Sequence, residues 1–89
     1  MANLYLVDKP AGKEALALAA SDRGAQVVLL QDGVYLDPEP AHRSGAQVYA
    51  VERDVQLRGL GGSLPSYVKR VDYGGLVDLI VAHKVINFA

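Results

Sequence analysis

Gln26-Val27-Val28-Leu29-Leu30, running into Gln31-Asp32-Gly33, is the stretch on which the fold turns. Its apolar residues follow one another without alternation, the pattern of a strand covered on both faces, and such strands belong to parallel sheets flanked by helices. Asp32-Gly33 stops it with turn chemistry. On the amino-terminal side, Asn3-Leu4-Tyr5-Leu6-Val7 reads as a first strand, closed by Asp8-Lys9-Pro10-Ala11-Gly12, where proline forbids a central strand from continuing. Between the two strands, residues 13–22 are rich in Ala, Leu and Glu and predict a helix, with Gly24 placed as a left-handed terminator.

On the carboxyl-terminal side, Asp37-Pro38-Glu39-Pro40 predicts a loop over residues 36–45, since each proline lacks an amide hydrogen and biases its predecessor toward extended backbone. Gln47-Val48-Tyr49-Ala50-Val51 reads as a third strand. Asp54 is then expected to cap one helical turn over residues 55–58, closed by Gly59. Residues 67–71 supply a fourth strand, Asp72 the cap of a last helix reaching about His83, and residues 85–88 a fifth strand. On that helix Tyr73, Leu76, Val77, Ile80 and Val81 are expected to form the buried face, with Gly75, Asp78 and Ala82 outside. The crossovers are too long for hairpins, which predicts an α/β fold: a small three-layer, mainly parallel sheet with helices on its faces, one domain over residues 1–89.

Composition narrows the function classes. Nine Lys and Arg stand against ten Asp and Glu, and the basic residues form no block, so no electrostatic grip on nucleic acid is visible. No apolar run approaches the ~20 residues of a spanning helix, and the amino terminus lacks the layout of a signal peptide. A cytoplasmic protein away from membranes is expected. The absence of cysteine excludes a disulfide scaffold, a thiolate metal site and a persulfide carried by this chain. A chain of 89 residues buries a limited share of its surface, which makes association with a partner a reasonable expectation.

Ligand sites of open parallel sheets lie beyond the carboxyl ends of the strands. Here those loops hold Asp8, Lys9, Asp32, Gly33, Tyr35, Glu52, Asp54, Arg58 and Asp72. Carboxylates gathered at one edge could exchange protons, but Asp32 suits a turn and Asp54 and Asp72 suit caps. Gly59-Leu60-Gly61-Gly62 follows a helical turn and precedes a strand, the reverse of a phosphate cradle. His42 and His83 make no recognisable metal site, and none of the four serines sits in a nucleophile-elbow sequence. No catalytic residue, cofactor or metal ligand is therefore assigned. Tyr35 and Arg58 are of the residue types enriched at protein interfaces and are the better contact candidates.

Three blocks then converge: Leu29-Leu30-Gln31-Asp32-Gly33-Val34-Tyr35, the stretch from Val48 through Asp54 and Arg58 to Leu60, and Val71-Asp72-Tyr73-Gly74-Gly75-Leu76-Val77-Asp78-Leu79. In this order they resemble the DsrH/TusB family of small sulfur-relay proteins, which share "L-x-D-G-V", "V-Y-A-(L/V)-x-x-D-x-x-x-R-G" and "(V/I)-D-Y-x-x-(F/L)-V-D-L". The resemblance implies a DsrE/F/H-like fold and a place beside two paralogous subunits in a heterohexamer. Such complexes pass persulfide sulfur toward 2-thiolation of the wobble uridine of some tRNAs, or act in dissimilatory sulfur oxidation. It also makes Asp32, Gly33, Tyr35, Asp54, Arg58 and Gly59 candidate partner contacts. Some relatives carry a cysteine in the helix after the first strand, where this chain reads Glu14-Ala15-Leu16-Ala17-Leu18-Ala19-Ala20-Ser21. The Asp37-Pro38-Glu39-Pro40 stretch replaces a helical segment found in many relatives. These features imply a non-catalytic docking subunit that holds a cysteine-bearing paralogue. The alternative is a self-associating α/β binding protein with a small-molecule or nucleotide site at the carboxyl edge, pairing as a homodimer or larger homo-oligomer.

Overall fold

The computed structural model describes residues 2–89. Five strands, β1 (Asn3–Val7), β2 (Gln26–Leu29), β3 (Gln47–Val51), β4 (Lys69–Val71) and β5 (Lys84–Phe88), form one sheet in the order β4-β3-β2-β1-β5. Every pairing is parallel. The continuous apolar run of β2 lies at the centre, with Val27, Val28 and Leu29 inaccessible to solvent. The all-parallel sheet agrees with the expected fold class, and the fifth strand joins β1 rather than extending the β4 edge.

Alternation along each strand divides the core in two. Tyr5, Val7, Val27, Leu29, Val48 and Ala50 pack on one face against Ala15, Leu16 and Ala19 of α1 (Gly12–Ala20), Ala41 of α2 (Glu39–Arg43) and Val55 of α3 (Glu52–Leu57). Leu4, Val28 and Val51 face the other way, toward Leu76 and Leu79 of α4 (Tyr73–Ala82). Helices thus cover both faces, unequally.

Three local expectations are corrected. Residues 36–45 are not all loop, because Glu39–Arg43 is a short helix. Pro40 stands in its first turn, where the missing amide hydrogen would have had no intrahelical partner. Asp54 does not cap its own helix: α3 starts at Glu52, Val51 occupies the cap position, and Asp54 lies inside the first turn. The face of α4 is also reassigned. Leu76 and Leu79 are turned to the sheet, whereas Tyr73, Val77, Ile80 and Val81 are exposed and Gly75 is half-buried against Val71. α4 is apolar on almost every side, so its periodicity does not define one buried stripe.

Other local signals hold. Asp72 accepts a 2.8 Å hydrogen bond from the Gly75 amide as the N-cap of α4. Gly59 adopts a positive φ of 66° where α3 ends, whereas α1 already stops at Ala20 and Gly24, at φ 79°, serves the Asp22–Ala25 turn that leads into β2 rather than the helix end. No helix among the described residues is long and apolar enough to cross a membrane.

Candidate partner surface at the carboxyl edge

Beyond β2 the chain winds into a 3-10 turn, Gln31–Tyr35, which lies over the carboxyl end of β1. Gly33 is buried there, and a Cβ at this position would collide with the Val7 carbonyl oxygen. That oxygen already accepts a hydrogen bond from the Leu30 amide at 3.1 Å. Glycine is required by close backbone approach, not by a positive φ. The residue with the unusual backbone is Gln31, at φ 51°, a region that non-glycine residues occupy at a cost of about 1 kcal/mol.

Asp54 compensates for this. Its Oδ2 accepts a 2.8 Å hydrogen bond from the Gln31 amide, so a carboxylate on α3 secures the first residue of the neighbouring turn. Arg58, one helical turn later, places Nη1 3.5 Å from Asp54 Oδ1 and 3.3 Å from the Asp54 carbonyl oxygen. Its Nε donates to Asp32 Oδ1 at 2.9 Å. One guanidinium therefore clasps α3 to the 3-10 turn through two carboxylates, and its side chain is only 21% exposed. The hydrogen-bonded Asp32 carboxylate, helped by the charge of Asp54, holds the Arg58 pKa above its ordinary value despite partial desolvation.

Of the candidate contacts, Asp32, Asp54 and Arg58 thus meet directly, with Gly33 inside the same turn. Gly59 ends α3 just beyond Arg58 and contributes backbone geometry only. Tyr35 stands apart from the clasp: it is 51% exposed, with Lys9 Nζ 5.7 Å from its ring centroid. Gln31 is the participant that residue types could not disclose, because its part is played by the backbone amide. Its one sequence signal is the Asp54 carboxylate in a helix that follows the adjacent strand.

Two open clefts lie along this edge. One, of about 330 Å³, is lined by Val51, Glu52, Arg53, Gln56, Asp72 and Tyr73. The other, of about 180 Å³, lies between Leu30, Gln31, Asp54 and Tyr73. Among the described residues no group of three or more His, Asp or Glu side chains is arranged to hold a metal ion.

Comparison with known proteins agrees with this architecture. The family model described as "DsrH like protein" matches residues 10–86. Protein TusB of Salmonella dublin is 38% identical over 66 residues, covering 67% of this chain and 70% of that protein. Protein TusB of Salmonella enteritidis PT4 matches to the same extent. Among solved structures, the ychN protein from E. coli superposes with a TM-score of 0.76 over 98% of this chain and 97% of that one, at 17% identity, a likeness of fold.

Proposed function

The chain belongs to the DsrH family, and from that premise we propose that it is a non-catalytic docking subunit of a sulfur-relay complex, serving tRNA 2-thiolation or sulfur oxidation. The observation that carries this reading is the family fold in a chain with no cysteine. Sulfur relay needs a thiolate that attacks a persulfide and becomes one, and hydroxyl or thioether side chains do not substitute for it. The sulfur-bearing thiol then sits on a paralogous subunit, and this chain contributes a surface. Tyr35 and the turn clasped by Asp32, Asp54 and Arg58 supply that surface, rigid in backbone and aromatic at its rim. The clefts beside it support docking better than nucleotide binding, because Glu52 and Asp72 face a single Arg53 in the larger one.

The test combines the purified chain with cysteine-bearing paralogues and a cysteine desulfurase supplied with labelled cysteine. The chain is expected to co-elute with the paralogues while all protein-bound label, read by non-reducing mass spectrometry, stays on them. Stable label on this chain, or failure to co-elute with any paralogue, would overturn the reading.

A further inference from the structure

The two lateral edges of the sheet are finished differently. β4 is three residues long, and two of them are the exposed cations Lys69 and Arg70, the kind of edge that discourages a further strand. β5 is matched to β1 over all five of its residues, contains no proline, and carries its one charge, Lys84, at its start. Its apolar residues serve both faces: Val85 packs with the Leu4 cluster, whereas Ile86 and Phe88 pack against the opposite core. All three are only half-buried. Apolar residues on both faces are the mark of an interior strand, and here that strand stands outermost.

The backbone identifies the occupant. The Lys84 amide donates to the Ala2 carbonyl oxygen and the Phe88 carbonyl oxygen accepts from the Asp8 amide, both at 3.2 Å, so Lys84, Ile86 and Phe88 turn their peptide groups toward β1. Val85 and Asn87 turn theirs outward, where no strand meets them. A second copy running antiparallel sets Val85 opposite its Asn87 and Asn87 opposite its Val85, each pair exchanging both bonds, with Ile86 facing Ile86 on the axis. Sliding the copies by two residues leads a free residue onto His83, outside the strand, or onto Ala89, whose amide is already taken by Asn87 Oδ1 at 2.8 Å. The side chains agree with this register. Lys84 falls opposite Phe88 of the second copy, an ammonium beside an aromatic ring, and the two lysines stay at opposite ends of the ladder. So short a pairing lies at the low end of interface sizes, below about 1,200 Å² in total, the range of weak, reversible dimers.

We propose that β5 is a self-pairing edge through which two copies of this chain join their sheets into one across a two-fold axis. This goes beyond the sulfur-relay reading and does not depend on it, since no paralogue takes part.

Residue-resolved amide hydrogen exchange of the chain alone, from low to high micromolar concentration alongside sedimentation velocity, tests the proposal. The mass is expected to rise toward twice 9.5 kDa. With it the Val85 and Asn87 amides are expected to exchange at least about tenfold more slowly, while the Lys84 and Ile86 amides, turned to β1, keep the same protection throughout. Asn87→Pro deletes an outward amide that the fold does not use and is expected to raise the dimer dissociation constant at least about tenfold. Asn87→Lys, which keeps every backbone group, is the second variant and is expected to act in the same direction by setting an unpaired cation in the contact. Because the chain lacks cysteine, Ile86→Cys under oxidation is expected to give a disulfide-linked dimer, and Leu18→Cys on α1 none. A monomeric wild type overturns the proposal. So does a dimer whose Val85 and Asn87 amides exchange no more slowly than in the monomer, which would place the contact elsewhere. So does a chain that is monomeric alone and gains that protection only with a paralogue, which would assign the edge to the paralogue and leave the docking reading intact.

Discussion

The two faces of the sheet differ in how far the chain completes them. On the α1 face, Ala15, Leu16, Ala19, Ala41 and Val55 close over Tyr5, Val7, Val27, Leu29, Val48 and Ala50, all buried. On the α4 face only Leu4, Val28 and Val51 are buried, under two leucines of one helix, and that helix turns four large apolar side chains to solvent. The strands are equally apolar on both sides, so the difference lies in the covering layer. One face is a finished core; the other stops where a partner would begin.

If that contrast is real, equivalent leucines should differ in what they contribute. Leu29→Ala, at a position closed to solvent under the α1 layer, is expected to cost about 3 kcal/mol in urea unfolding, from lost transfer energy plus a cavity that rigid neighbours cannot fill. Leu79→Ala, half-covered on the other face, is expected to cost about 1 kcal/mol, since water reaches the site. Equal losses would break the comparison. Asp72→Ala tests the same face through its helix start and is expected to cost about 1 kcal/mol by freeing the Gly75 amide, with Asp72→Asn restoring most of it.

How much of this was legible in the sequence follows from the physics of each signal. Strands β1, β2 and β3 were readable because continuous apolar runs between turn residues have few alternative uses. The Asp72 cap and the Gly59 terminator were readable because each satisfies a local backbone need, whereas the positive φ of Gly24 belongs to a turn past the end of α1. The α2 helix was hidden by its prolines, whose first-turn position is harmless only once the helix start is known. The exposed side of α4 was hidden because its apolar residues surround the axis, so no single stripe stands out in the sequence. At the candidate site, Asp32, Asp54 and Arg58 could be named from motif resemblance, but their clasp depends on α3 lying against the 3-10 turn, a contact across more than twenty residues of chain.

The α1 face carries a pH-dependent fastening. Tyr67 donates its hydroxyl to Glu39 at 2.9 Å and stacks on His42, with ring centroids 3.5 Å apart, tying the connection before β4 to α2. Desolvation, then the hydrogen bond to the Glu39 carboxylate, push the Tyr67 phenol up to about 12 from its ordinary 10. The folded pKa lies above the unfolded one, so this stabilisation is complete below about pH 10 and is lost as pH rises toward about 12. Thermal melts over that window are expected to fall more steeply for wild type than for Tyr67→Phe. Tyr5, whose phenol is also raised by burial and by Asp22, contributes in the same direction, so Tyr5→Phe serves as the second arm. Parallel curves for wild type and Tyr67→Phe would mean that the fastening does not hold in solution.

The smallest expected effect on stability sharpens the comparison at the edge where both layers end. Arg58 and Tyr35 are both interface-type side chains beside the same turn, but Arg58 is occupied by Asp32 and Asp54 while Tyr35 is not held by any hydrogen bond among the described residues. Arg58→Ala should therefore lower the melting temperature, because it opens the clasp and leaves two carboxylates facing each other beside the Gln31 turn. Tyr35→Ala removes only an exposed ring and a long contact with Lys9 and should shift stability by no more than about 0.5 kcal/mol. If Tyr35 anchors a paralogue, the same change should weaken that complex at least about tenfold in a titration, since aromatic anchors lose their whole buried area on truncation. A Tyr35→Ala chain that melts and binds like wild type would leave the edge a structural clasp alone, and the docking surface would then have to be sought on the unfinished face.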